Sequence, residues 1–396
     1  MANLLDLIIT RGGGEVSEPA LRRDVAAHVE ALRASAGRGA RRWVHAAEEH
    51  VRAAADIAFS FDGGGYATLS AAGQTWSAGR FETPTLDELL RRAKSVRNAA
   101  QSGSTGRLRL WVLDGASPAT DIGGLQATSG EGALFQVASQ FNCLESPGPN
   151  VSPVANYFGD STQGPRASIS AFPATLLRHY AAPSRDGGRF VQQTGGPQID
   201  LLADVFGRPA CHNGYFTGQG VGDPVRIVRL LLDRFGEIRI GVHDRAEVVL
   251  GYDWDGAVET SPPPLIAQVF TSTVAGGMYG GERALGGVHF TSTCRELLRA
   301  AYLGTLLAAV SLKRRRVVLT LIGGGVFGNP IPLILESIKW AIEQVEPLLA
   351  SDLEVVVNGY NLGSAVDLHA DVLPLVRRHL GVIARFHHEG LAEVLR

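Results

Sequence analysis

The segment VVLTLIGGGVFGNP, Val317 to Pro330, decides how the rest of the chain is read. Its first six residues predict a buried strand. The strand runs into Gly323, Gly324 and Gly325, then Val326, Phe327, Gly328 and Asn329, before a helical segment begins. Three consecutive glycines at the carboxyl end of a strand cost backbone entropy, and a tight turn needs only one or two. The third is explained where side chains must be absent so that backbone amides can approach the oxygens of a ligand. The following helix adds a positive N-terminal end, which favours an anion. Ligands of open α/β sheets sit at this edge, beyond the carboxyl ends of the strands.

Two familiar phosphate loops fit poorly. The glycines match G-x-G-x-x-G, but a dinucleotide loop belongs after the first strand of its domain. Here one further strand, LEVVVNGY, is evident, and it ends in Asn358 where an acidic ribose ligand is expected. The Walker pattern fails because Asn329-Pro330 stands where Lys and Ser or Thr should follow the last glycine.

Outward from the loop, apolar runs of strand length alternate with helix-period segments. LRLWVLDG, ALFQVASQFN, IRIGV, EVVLGY, LIAQVFTSTV, VVLTLI and LEVVVNGY read as strands. CRELLRAAYLGTLLAAV repeats Leu297, Leu298, Ala301, Tyr302, Leu306 and Ala309 at helical spacing. IPLILESIKWAIEQVEPLL does so with Ile334, Leu335, Ile338, Ile342 and Val345. Alternation of this kind predicts an α/β fold, a sheet covered by helices on its faces. Residues 1–106 read as an N-terminal α+β extension, helical from about Glu18 to Ala55, with a hairpin in IAFSFDGGGYATLSAAGQTWSAG and a helix in LDELLRRAKSVRNAA. The polar stretch Gln101 to Gly106 predicts a boundary, so that 107–396 forms the main domain.

The 396 residues are 45% hydrophobic and 19% charged, which suits a large globular core. A net charge of -2 supplies no basic field for nucleic acid or a membrane surface, and Lys313 to Arg316 reads as a solvated helix end. Cys143, Cys211 and Cys294 are odd in number, far apart and without a CxxC pair, as expected in a reducing compartment. The eleven histidines show no H-E-x-x-H spacing, so neither a metal nor a cofactor is expected. His212, His243 and His289 read as packing or surface residues. With neither a leader-like N-terminus nor an apolar run of spanning length, a cytoplasmic protein is the expectation.

The loop and its surroundings resemble the macrodomain family, which carries a Gly-(Ser/Thr)-Gly-Val-(Phe/Tyr)-Gly loop after a buried strand. Gly323 to Gly328 is similar to it, with Phe327 where the family packs an aromatic on the distal ribose. LIAQVFTSTVAGG followed by a helix is similar to the family's His-Thr-Val-Gly strand end. Asp121-Ile122 stands where the family holds adenine, ahead of ALFQVASQFN where the family has Val-Asn-Ala-Ala-Asn. The asparagine positions fall on Gln136 and Ser139 in one register, with Gln140 and Asn142 directly after. The glycine-rich catalytic loop of the family is replaced by Cys143 to Asn150, and an insertion occupies about 146–264. The resemblance implies a three-layer α/β/α mixed sheet that binds ADP-ribose or ADP-ribosylated protein. It implies Asp121, Ile122 and the loop Gly323 to Gly328 as ligand contacts; Asn329, which follows the loop, and Gln163, from the divergent part, are expected to join them.

Within the divergent part, Gln140, Asn142, Glu145, Asp160, Thr162 and Gln163 follow a strand end that should face the ligand. Cleaving a bond at the anomeric carbon needs a fixed ribose, a placed water and a proton donor. Gln140 and Asn142 are expected to hold the ribose and orient water, Glu145 to act as acid or base, and Asp160 to be second choice for that role. The expected activity is metal-independent ADP-ribosylhydrolysis. The alternatives are a non-catalytic ADP-ribose reader and a hydrolase of NAD or a free ADP-ribose derivative.

Overall fold

In a computed structural model of the protein, the described residues are 4–11, 17–35, 39, 41–100, 105–129, 132–254, 258, 262–360, 362–388 and 390–396. Among them, thirteen strands occur: β1 (Phe59–Phe61), β2 (Ala67–Ala71), β3 (Gln74–Glu82), β4 (Leu108–Asp114), β5 (Ala133–Ala138), β6 (Ala182–Pro183), β7 (Arg189–Phe190), β8 (Gly241–Glu247), β9 (Leu265–Thr271), β10 (Arg316–Thr320), β11 (Leu353–Gly359), β12 (Ile383–His387) and β13 (Gly390–Leu395). All but β6 and β7 belong to one sheet, in the order β1-β2-β3-β8-β9-β5-β10-β11-β4-β12-β13. The six strands from β9 to β12 run parallel, so their carboxyl ends share one edge. Antiparallel strands flank this core on both sides.

Pleating shows why the sheet lies between two helical layers. Phe135 on β5 pairs with Gln268 on β9, and Gln268 donates to the Ala167 carbonyl of the helix Gln163–Ser170. The next residue, Gln136, points to the other face. There it donates to Thr305 Oγ1 of the helix Gly287–Ser311. Gln136 is thus an inter-layer tie, and it takes no part in a surface site. The α/β architecture and the strands around the glycine loop follow the sequence expectation.

Three elements differ from that expectation. IRIGV and EVVLGY contribute one strand, β8, with a register shift between His243 and Ala246 and positive φ at Arg245. The residues beyond β8 leave the sheet, and Val249 and Leu250 donate to the Ser170 carbonyl instead. The C-terminal hairpin β12–β13 interleaves charged residues with apolar ones, which hides it from a hydrophobic pattern. The N-terminal segment also differs, because its strands extend the main sheet: β3 pairs with β8 through Arg80–Asp244, Phe81–His243 and Glu82–Val242. Of the boundary stretch, residues 101–104 lie outside the described residues, as do Met1 to Asn3. Among the described residues no helix is long and apolar enough to cross a membrane.

Candidate active site

A cavity of about 550 Å³ opens at the carboxyl edge of the parallel strands. Its walls are the glycine loop after β10, the loop after β5, the first turn of the helix Gln163–Ser170, and the tyrosines Tyr215, Tyr279 and Tyr360. Topology therefore gathers segments that lie far apart in the chain.

The glycine loop is braced from beneath. Gly323 has φ +71°, and a Cβ there would lie 2.5 Å from Thr273 Cγ2 and 2.6 Å from Asn329 Nδ2. Asn329 is buried; its amide donates to the Val274 carbonyl (3.1 Å) and accepts from Thr273 Oγ1 (3.1 Å), tying the loop to the end of β9. Gly325 differs, because a Cβ there would meet nothing within 4 Å. The amides of Gly325, Val326 and Phe327 donate to no acceptor among the described residues. Three successive free amides on a cavity wall make an anion nest. The helix Ile331–Val345 starts directly behind, with no side chain capping its N-terminus. Of the expected loop contacts, Gly323 to Phe327 line the cavity; Gly328 and Asn329 do not.

The loop after β5 turns sharply once the strand ends. Cys143 N donates to the Gln140 carbonyl (2.9 Å), and Cys143 and Glu145 both have positive φ, 63° and 67°. This turn separates two residues that a continued strand would have placed on one face. Gln140 lines the cavity: its Nε2 donates to Ser146 O and Tyr215 Oη, both at 2.8 Å, and its buried Oε1 has no partner. Asn142 points away. It donates to Gln198 Oε1 (2.9 Å) and accepts from Leu144 N (3.1 Å), so it braces the loop from outside the cavity. The expected ribose contact through Asn142 is therefore corrected to a structural one.

Glu145 sits on the cavity wall with its carboxyl against the first turn of the helix Gln163–Ser170. A Cβ on Gly164 would come within 2.2 Å of Oε2, so only glycine allows that approach. Burial pushes the Glu145 carboxyl well above the ordinary glutamate range, and the charge of Asp160 pushes the same way. A hydrogen bond with Ser139 and the cation of Arg178 act in the opposite sense and do not overcome burial. The helix N-terminus also favours the ionised form, by about 0.3–1 kcal/mol. Desolvation of a buried carboxylate outweighs that, so the site favours the protonated acid over the carboxylate. Asp160 lines the same cavity, one oxygen accepting from Thr162 N at 2.9 Å. Gln163 lies beside it, with a buried Oε1 that has no partner. Two unpartnered amide oxygens, on Gln140 and Gln163, thus await hydroxyl donors.

Asp121 occupies a neighbouring cleft of about 390 Å³ that shares Thr120, Gln163 and Tyr360 with the main cavity. It caps the helix Ile122–Thr128 by accepting from Gly124 N (2.9 Å), and it pairs with Arg166 Nε at 2.5 Å. Burial lifts its pKa to about 6 despite Arg166. Ile122 is buried in the core and lines neither cleft. The expected contact at Ile122 is corrected to core packing.

Sequence reasoning missed Tyr215 and Tyr279. Their rings stack at 4.6 Å, and Tyr279 meets Phe327 edge-on at 5.3 Å, so both tyrosines line the cavity beside the glycine loop. Tyr215 lies in the expected insertion; nothing distinguishes CHNGYF or GGMYGG from ordinary turns in the sequence. Among the described residues, no group of three or more His, Cys, Asp or Glu side chains is placed to hold a metal ion.

No family model matches the chain, and no curated relative matches it. Among solved structures, it is similar to poly(ADP-ribose) glycohydrolase from Deinococcus radiodurans in complex with ADP-ribose, at 12% identity over 76% of this chain and 94% of that one, with a TM-score of 0.42. It is likewise similar to poly(ADP-ribose) glycohydrolase from Thermomonospora curvata, at 16% identity over 80% of this chain and 92% of that one, again with a TM-score of 0.42.

Proposed function

We propose that this chain is a macrodomain-like ADP-ribosylhydrolase, which cleaves the bond between ADP-ribose and a modified macromolecule by acid catalysis without a metal. One juxtaposition carries the reading: a single cavity has three free backbone amides on one wall and, on another, a buried carboxyl, Glu145, whose surroundings favour the protonated form. The amides of Gly325, Val326 and Phe327 receive the diphosphate. Gln140 Oε1 and Gln163 Oε1 accept from ribose hydroxyls, and Phe327 with Tyr279 supplies an apolar wall for the sugar.

The chemistry follows from the charge that develops. Glu145 gives its proton to the departing atom of the acceptor, oxygen or nitrogen, as the bond to the anomeric carbon breaks and both bonding electrons leave with that atom. Asp160 orients the water that attacks the oxocarbenium-like carbon. The adjoining cleft at Asp121 takes the base. Three cysteines that lie far apart in the chain without a CxxC pair support a reducing, cytoplasmic setting.

The test is release of ADP-ribose from a panel of substrates linked through serine, arginine, acidic side chains and nucleic-acid bases. Release from at least one linkage is expected. Binding of free ADP-ribose without release from any of them assigns the chain as a reader.

A further inference from the structure

Arg178 is among the largest fully buried side chains, and no carboxylate lies within ion-pair distance of it among the described residues. It lies in the last turn of the helix Phe172–Tyr180. Its Nε donates to the Cys143 carbonyl (2.9 Å), and its Nη2 to Ser168 Oγ (2.8 Å) and Thr175 Oγ1 (3.2 Å). Its Nη1 meets His243 Nδ1 at 2.9 Å, and the Phe270 ring lies 3.7 Å from the guanidinium carbon. His243 Nε2 sits 2.6 Å from the Ala78 carbonyl, which can only accept. That fixes the proton on Nε2 and leaves Nδ1 as a neutral acceptor for Arg178.

Every other titratable group facing Arg178 is held neutral as well. Burial pushes the Cys143 thiol up to about 12 and the Tyr157 phenol up, and it pushes His243 down and His179 down to about 3. Glu145 remains as the group that can become an anion. The groups facing Glu145 are Ser139 on its own side of the loop, Asp160, Tyr157, Tyr215 and Arg178. A buried cation without a counter-ion costs several kcal/mol. The two elements that Arg178 joins are those that clamp Glu145: the loop at Cys143 and the helix whose Gly164 abuts the carboxyl.

We infer that Arg178 is a positioning residue for Glu145 and the resident counter-charge for the carboxylate formed when Glu145 gives up its proton. The inference rests on the reading of Glu145 as the acid. Proton donation leaves a carboxylate in a site that disfavours it, and Arg178 offsets part of that cost without entering the cavity or touching substrate. Reprotonation by the attacking water restores the neutral acid. Asp160, on the opposite side of the balance, keeps the acid protonated until then.

The test is a pair of titrations. In the whole protein, the Arg178 Nε–H resonance is followed by NMR against pH; it should shift with the midpoint of Glu145, and Glu145→Gln should remove that step. In turnover, ionisation of Glu145 draws the high-pH limb. Arg178→Gln keeps amide donors but loses the charge, so the limb should move to higher pH and kcat should fall on the order of 10²-fold. Arg178→Lys should leave the limb near its wild-type position, and Asp160→Asn should move it to lower pH. A limb that does not move in a folded Arg178→Gln protein overturns the inference. So does an Nε–H signal indifferent to Glu145, and that measurement decides the matter if Arg178→Gln does not fold. If no substrate is turned over, the functional reading fails while the NMR titration still judges the coupling.

Discussion

At the residue scale, Glu145 carries two opposed consequences of one environment. Glu145→Gln keeps shape and hydrogen bonding but removes the proton, so turnover should fall on the order of 10² to 10⁴-fold while the affinity for ADP-ribose barely changes. Stability should move the other way. A carboxyl whose pKa is raised by folding contributes most below the ordinary glutamate range, and that contribution is lost as pH rises towards the raised value. The glutamine variant does not ionise, so its melting temperature relative to the parent should climb across that interval; a pH-independent difference would contradict the buried neutral acid. Gly325→Glu should fold, because a Cβ there meets only open space, and should abolish ADP-ribose binding by setting a carboxylate among the amides. Undiminished affinity in calorimetry would place the diphosphate elsewhere. Gly325, Gln140 and Glu145 were legible because a glycine run and a polar strand end expose their chemistry directly. Asn142 was not, since the turn closed by Cys143 N on the Gln140 carbonyl ends the alternation that links it to Gln140.

At the element scale, the site depends on a support that no local motif announces. The 3-10 helix Val154–Gly159 leads to Asp160 and then to the helix that holds Gly164 and Gln163. Its first amides are capped from another part of the chain: Glu48, buried on the helix Arg41–Ala53, accepts from Val154 N (2.6 Å), Ala155 N (2.8 Å) and Tyr180 Oη (2.6 Å). Glu48→Ala leaves these donors without that acceptor, at a cost of about 1–3 kcal/mol for each donor that stays buried and unpaired. Turnover should fall more than ADP-ribose affinity, because the glycine loop is braced separately by Thr273 and Asn329. Equal loss in both, or no loss in either, would separate Glu48 from the site. The strands and helices around the loop could be read from their periods. The cap could not, because hydrogen bonds across a sequence separation of more than a hundred residues leave no local pattern.

At the scale of the whole molecule, the polar join Gln101 to Gly106 reads as a linker at the edge of an N-terminal extension, but the sheet pairs strands from both sides of it, β3 with β8. His243 on β8 takes its tautomer from Ala78 on β3 and packs against Phe81 at 5.4 Å, so the hydrogen-bond chain through Arg178 begins in the N-terminal segment. On the other face, Leu86, Leu89 and Ala93 of the helix Leu86–Ala99 are buried, and Leu86 packs over Gly304 of the helix Gly287–Ser311. Each large buried apolar side chain contributes about 1.5–3 kcal/mol, so a handful rivals the 5–15 kcal/mol that holds a typical domain together. A fragment of residues 107–396 should therefore be insoluble or unfolded, with β8 left as an open edge. A nick tests packing apart from covalent continuity: with a protease site placed at residues 101–104, the two pieces should co-elute after cleavage and still bind ADP-ribose. A soluble 107–396 fragment with full affinity would restore the linker reading. Pieces that separate once cut, each still folded, would show that β3 and β8 do not make one sheet in solution.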